Sequence, residues 1–165
     1  MRIRPAEISD LERLVEIYNH YVCKTHITFH TEAFTLATRQ SWFAQFAASG
    51  PHRLLVAEED QGVIGYASSS EFKAREAYRS SVETTIYVHH EHTGLGIGSA
   101  LYGQLLTELQ QEASTHRAYG GVALPNDASV ELHLRLGFKQ VALFNEVGFK
   151  FGRYWDVAWF EKHLD

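Results

Sequence analysis

The chemistry-bearing residues of this chain crowd into one stretch, "ETTIYVHHEHTGLGIGS", which runs from Glu83 to Ser99. It holds the carboxylates Glu83 and Glu91, three histidines and the alternating glycines Gly94, Gly96 and Gly98. The glycines fall where an alternating segment gives way to an apolar helical pattern. The first turn of such a helix offers unpaired amide N–H groups and a partial positive charge. Both favour an anion, phosphate above all. Glycines let the backbone approach that anion in a nest-like conformation. The main-chain groups of Gly94, Leu95, Gly96, Ile97, Gly98 and Ser99 are therefore the candidate cradle, and a tight turn without a ligand needs fewer glycines. The sequence also limits the ligand. "GSA" lacks the lysine of a P-loop. Ser99 stands where a dinucleotide fingerprint has its third glycine, and the later segment "AYGGVAL" has no acidic residue for a ribose.

Other side chains suggest less. A zinc site needs three or four convergent ligands. His89 and His90 are expected on opposite faces if their strand continues, Cys23 is isolated, and no H-E-x-x-H helix exists. No metal is expected; His89, His90 and His92 read as a polar loop close to bound phosphates. Arg75 and Arg79 in "FKAREAYRSS" are candidates for holding a carboxylate, which guanidinium pairs bidentately. Tyr78 could bound that pocket, Phe29 could form a wall, Glu32 could give a polar contact, and Asn145 lies where the last strands are expected to open.

These residues need a scaffold. "RIRPA" reads as a first strand. "SDLE" matches a capping box with Ser9 as cap and Glu12 reaching back, opening a helix to about Lys24. Thr35 caps a second helix through "LATRQSWFAQFAA", ended by "SGP". "HRLLVAEE", "DQG" and "VIGYASSSEF" read as a hairpin. In "SSVETTIYV", Val82, Thr84, Ile86 and Val88 share one face, and Glu83, Thr85 and Tyr87 the other. Leu101, Tyr102, Leu105, Leu106 and Leu109 form a helical stripe after the glycines. "AYGGVAL" is a strand. "NDASVELHLRLG" is a short helix capped by Asn126 and ended by Gly137, with Asn126, Ser129 and His133 on one face. "FKQVALF" and "RYWDVAWFE" close the chain as strands. The fold class is α/β: a mixed, mostly antiparallel central sheet with helices on both faces.

The 165 residues suggest one domain, 1–165. A net charge of -5 argues against a broad nucleic-acid surface, and no apolar run is long enough for a membrane helix. The N-terminus lacks the apolar core of a signal peptide, and a single cysteine suits a reducing compartment. A cytosolic location is expected.

"YVHHEHTGLGIGSALYGQLL" followed by "LPNDASVELHLRLGFK" resembles the GNAT superfamily of N-acetyltransferases. "IYNHYV", "TFHTEAFT", "VETTIYV" and the "GRYWDVAWFEK" tail are similar to its phosphinothricin and methionine sulfoximine acetyltransferase branch, across nearly the whole chain. The resemblance implies that acetyl-CoA is the co-substrate, with its pyrophosphate on the glycine loop and its pantetheine arm at Asn126. It further implies a strand splayed near Tyr87 and Val88, a small amino-acid-like amine as acceptor, and a homodimer. One departure stands out: the superfamily loop usually opens with Gln or Arg, often followed by a second basic residue, and here Thr93 and Gly94 hold those places.

N-acetylation needs a neutral amine, a polarised carbonyl and a protonated leaving thiolate. An amine resembling lysine, with a pKa of about 10.4, is mostly ammonium in neutral water. Glu83 is the candidate base, at the position where the related family uses a carboxylate. An amide near Tyr87 or Val88 would polarise the carbonyl. Counting seven residues on from Asn126, where many members have tyrosine, gives His133 as candidate acid for the thiolate, with Ser129 beside it. Other readings are a non-catalytic acyl-CoA-sensing module, or an acetyltransferase acting on protein N-termini or aminoglycosides.

Overall fold

In the computed structural model, which describes residues 1–165, a seven-stranded sheet carries the molecule. Its elements in chain order are β1 (Arg2–Pro5), α1 (Leu11–Lys24), α2 (Leu36–Phe43), β2 (Leu54–Glu59), β3 (Gly62–Glu71), β4 (Ser81–Val88), α3 (Ile97–Gln110), β5 (Arg117–Ala123), α4 (Asp127–Arg135), β6 (Lys139–Lys150) and β7 (Arg153–His163). The strand order is β1-β2-β3-β4-β5-β7-β6. Every pairing is antiparallel except β4 with β5. Hairpins join β2 to β3 and β6 to β7, longer connections join the other antiparallel pairs, and the parallel pair needs a crossover, here supplied by α3.

The side-chain period of two divides the core. Val82 on β4 joins Leu101, Tyr102, Leu105 and Leu109 of α3, with Ile86 and Val88 packed against them. On the opposite face, Leu14, Ile17, Tyr18 and Val22 of α1 meet Val56, Val63 and Tyr66, with Tyr87 packed alongside. Each of these buried large side chains is worth roughly 1.5–3 kcal/mol. Helices thus cover both faces, and none is long and apolar enough to cross a membrane.

Three local expectations are corrected. The capping box is formed by Glu7 and Asp10 at a short 3-10 turn, Ile8–Asp10, not by Ser9 and Glu12. Asp10 accepts from the Glu7 amide at 2.8 Å and from Arg4 at 2.7 and 2.9 Å, and the two-pronged guanidinium contact selects this carboxylate. Helix α2 stops at Phe43, because the Ala47 amide turns to the His52 carbonyl at 3.0 Å and closes the loop through Ser49–Pro51. The last two strands are longer than their apolar cores suggest, since β6 continues through an interruption between Phe144 and Gly148.

Candidate active site

Strands β4 and β5 pair only over Ser81↔Arg117, Val82↔Ala118 and Glu83↔Tyr119. Beyond that they part. A cavity of about 560 Å³ opens in the gap, lined by Thr84–Val88 on one side and Gly121–Ala123 on the other. This is an ordinary size for a small-molecule site. Tyr21 holds the parted strand from the α1 side, its hydroxyl donating to the Val88 carbonyl.

Strand parity decides which amides face the gap. The His89 amide donates to Ile64 at 2.8 Å, on the β3 side, and Tyr87 lies opposite Tyr66 in the same register. Alternate residues of an antiparallel ladder point the same way. The Tyr87 amide therefore faces β3, while those of Ile86 and Val88 face the cavity. Of the two positions expected to offer an amide, Tyr87 or Val88, parity leaves Val88: Tyr87 lines the cavity without offering its N–H, and Ile86 offers a second amide.

The glycine turn closes one end. Gly94 and Gly96 have φ of 78° and 80°, left-handed values that a side chain would strain. Gly96 is the N-cap of α3 and brings no side chain to its amides. Gly94, Gly96, Ile97, Gly98 and Ser99 all line the cavity. Leu95 does not: its side chain is exposed at the apex of the turn. From the far wall come Asn126, Ser129 and His133 of the α4 region. Asn126 Oδ1 accepts from the Ser129 amide at 3.2 Å, as a helix cap does, leaving its NH2 free.

His133 is buried, with Nδ1 2.7 Å from the Ser129 carbonyl. A carbonyl only accepts, so Nδ1 carries hydrogen and the neutral ring presents a lone pair at Nε2. Nε2 lies 3.2 Å from the Tyr102 hydroxyl, which lies 2.6 Å from Thr84 Oγ1, which donates to the Tyr119 carbonyl at 3.1 Å. The last three contacts have two hydroxyl hydrogens between them. Only a doubly protonated His133 would fill all three, and burial pushes its pKa down. The expectation of a ready acidic proton on His133 is thus not met in the neutral form: Nε2 is an acceptor there. The sequence hid this chain because Tyr102 reads as one more apolar position of the α3 stripe.

Glu83 sits one residue before the stretch that lines the cavity, on the α1 face of β4. It is half-buried, and its carboxylate makes no hydrogen bond or ion pair within the protein; desolvation raises its pKa. The other expected substrate contacts lie apart from the cavity wall. Arg79 is exposed and pairs with the equally exposed Glu76 at 2.8 Å. Arg75 lies over the Tyr78 ring at 5.5 Å. Phe29 packs onto Gly148, Glu32 is exposed, and Asn145 falls in the β6 interruption. The strand ends before the loop histidines, so His89 and His90 lie side by side with ring centroids 4.5 Å apart, not on opposite faces. His89 is buried, His90 stacks on His20 at 3.9 Å, and His92 reaches the cavity.

A mixed sheet parted around a cavity, with an amide-rich glycine turn at its mouth, is the architecture of an acyltransferase. The chain belongs to the GNAT acetyltransferase family, whose "Acetyltransferase (GNAT) domain" profile matches residues 3–159. It is 51% identical to a phosphinothricin N-acetyltransferase of Streptomyces coelicolor, over 99% of this chain and 96% of the relative. It is 34% identical to an L-methionine sulfoximine/L-methionine sulfone acetyltransferase of Salmonella typhimurium, over 100% and 95%. Among solved structures, it is similar to a putative acetyltransferase from Salmonella typhimurium with its cofactor acetyl-CoA, with a TM-score of 0.94 and 34% identity, over 100% of this chain and 94% of that one. A phosphinothricin acetyltransferase from Sinorhizobium meliloti in complex with acetyl-CoA has a TM-score of 0.92 and 31% identity, over 98% and 87%.

Proposed function

We propose that this protein transfers the acetyl group of acetyl-CoA to the amine of a small amino-acid-like substrate of the phosphinothricin or methionine sulfoximine type. The observation that carries the reading is the parting of β4 from β5 directly between the glycine turn and Glu83. The gap suits the pantetheine arm, with the free amides of Ile86 and Val88 along it, and the α3 amides suit the pyrophosphate. The two relatives named above are called acetyltransferases of these substrates.

Glu83 takes a proton from the ammonium, directly or through water; its raised pKa makes it a better base than an ordinary carboxylate. The amine nitrogen then attacks the thioester carbon without an acyl-enzyme intermediate. The developing oxyanion accepts from the Val88 amide, a donor of a kind worth about 3 kcal/mol when preorganised. The carbon–sulfur bond breaks, and the thiolate leaves as thiol once protonated. Arg75 and Tyr78, on the loop before β4, close the acceptor side. Phe29 and Glu32 contribute to it from the segment between α1 and α2, and Asn145 from the interruption in β6.

The exposed apolar side chains of the outer strand β6, Val141, Leu143, Phe144, Val147 and Phe149, favour a homodimer along that edge. The exposed free thiol of Cys23 suits the cytosol. The reading is tested by following thiol release from acetyl-CoA with a panel of amines, for the wild type and Glu83→Gln. Product with methionine sulfoximine or phosphinothricin in the wild type, and a large loss in the variant, is expected. Turnover only with peptides or aminoglycosides would overturn the acceptor class, and equal rates would remove Glu83 as base.

A further inference from the structure

The segment between β4 and the glycine turn gathers a second set of chemically capable side chains, and no step of the proposed acetyl transfer uses it. His89, His90 and Glu91 each bring a possible metal-ligating atom within 4.8 Å of the other two. His89 is buried, and His90 and Glu91 are exposed beside it. The Glu91 amide donates to His89 Nδ1 at 3.4 Å, so that nitrogen carries a lone pair and not hydrogen. Burial, with Arg13 and the neighbouring rings, pushes the His89 pKa down and keeps the ring neutral at neutral pH. Arg13 itself is balanced by Glu16 at 2.6 Å. His92 Nδ1 stands 3.3 Å from His89 Nδ1. Two nitrogens about 2.0–2.1 Å from one tetrahedral zinc ion lie ~3.3–3.4 Å apart, so the two rings already have the spacing of zinc ligands. Neither His90 nor Glu91 forms an ion pair. The exposed group His116, His163 and Asp165 differs in this respect, because Asp165 already lies against both rings at 3.2 and 2.8 Å.

We propose that His89, His90 and Glu91 bind a divalent ion of the zinc class, with His92 as the fourth donor in reach. Imidazole nitrogens with one carboxylate suit such an ion, whereas magnesium and calcium take oxygen ligands. His89 is the fixed ligand, held by burial and by the Glu91 amide. His90 and Glu91, being exposed, need only turn to close on the ion. The ion takes no part in acyl transfer. It fastens the segment that leads from β4 into the glycine turn, which His90 already links to α1 by stacking on His20 at 3.9 Å.

The test is calorimetric titration of the untagged, chelator-treated full chain with zinc chloride and, separately, with magnesium chloride. Four proteins are compared: the wild type, His90→Ala, Glu91→Ala, and a control carrying both His116→Ala and His163→Ala. All four substituted side chains are exposed, so folding is not at stake. The wild type is expected to take up zinc and not magnesium. His90→Ala and Glu91→Ala should each weaken zinc binding by at least ~10-fold, as loss of a ligand does. The control should bind zinc at this site as the wild type does. No zinc uptake by the wild type overturns the proposal. So does zinc binding that survives unchanged in both His90→Ala and Glu91→Ala, or that disappears only in the control, which would assign the ion to the His116 group. Equal uptake of magnesium also overturns it, since that is attraction to charge and not coordination by imidazole.

Discussion

Thr84 and Tyr119 mark the point where the sheet opens: Thr84 Oγ1 donates to the Tyr119 carbonyl at 3.1 Å, immediately past the last paired residues, Glu83 and Tyr119. A threonine hydroxyl thus adds a donor to the carbonyl at the end of the β4–β5 ladder. The same oxygen contacts Tyr102, so the opening is tied to the buried chain that ends at His133.

Thr84→Val keeps the shape and removes the hydroxyl. It leaves one side of the Tyr102 hydroxyl without a partner in a buried place and removes the second donor from the Tyr119 carbonyl. The expected loss is about 1–3 kcal/mol in chemical denaturation, with a higher KM for acetyl-CoA. Combined with Tyr102→Phe, the loss should be less than the sum, since the two substitutions share one bond.

Gly120 permits His133 to sit where it does. A methyl group at Gly120 would lie 2.5 Å from His133 Nε2 and 3.4 Å from the Tyr102 hydroxyl. Both neighbours are buried rings held by hydrogen bonds to each other and to Thr84 or Ser129. Gly120→Ala should cost about 1–3 kcal/mol and lower kcat, whereas Gly121→Ala, 3.2 Å from the Trp159 ring, should be milder. Thermal melts and steady-state rates for the pair check this.

Glu83 gives a pH signature with a definite sign. Its pKa is raised by desolvation, so the folded state favours the protonated carboxyl. That contribution is fully present below the unfolded carboxylate value, about 4.3, and is lost as pH rises through the folded value. At neutral pH the ionised group opposes folding. Glu83→Gln should therefore be more stable than the wild type at neutral pH, with the difference shrinking in acid, while activity falls. The acid limb of the wild-type kcat/KM profile should lie above the ordinary carboxylate range. Denaturation at several pH values and a pH–rate profile measure both.

The β6 edge predicts association. Wild-type protein should run as a dimer in light scattering, and Leu143→Glu with Phe149→Glu should shift it toward monomer without unfolding, since both side chains are exposed. A monomeric wild type would contradict this.

Periodicity and turn chemistry made much of the framework legible. The alternation of Val82, Thr84, Ile86 and Val88, the Leu101–Leu109 stripe and the Asn126 cap are local patterns, and local sterics enforce them. The glycine turn was equally legible, because left-handed backbone at Gly94 and Gly96 is a property of single residues. Charge placement was not. The sequence offered Arg75 and Arg79 as candidate anchors, while the structure shows Arg79 beside Glu76 on the surface and brings Arg135 to Ser99 from another helix. Tyr102 looked apolar in its stripe, yet its hydroxyl meets Thr84 and His133 from two other elements.

The sequence alone determined most of the helices and strands, the left-handed glycines ahead of α3, and which family the chain resembles. These depend on neighbours along the chain. Only the tertiary structure decided that β4 and β5 part after Glu83, that the Ile86 and Val88 amides face the gap, and that neutral His133 presents a lone pair, not a proton, at Nε2. Those outcomes depend on strand register and on hydrogen bonds between elements far apart in the chain, which no local pattern encodes.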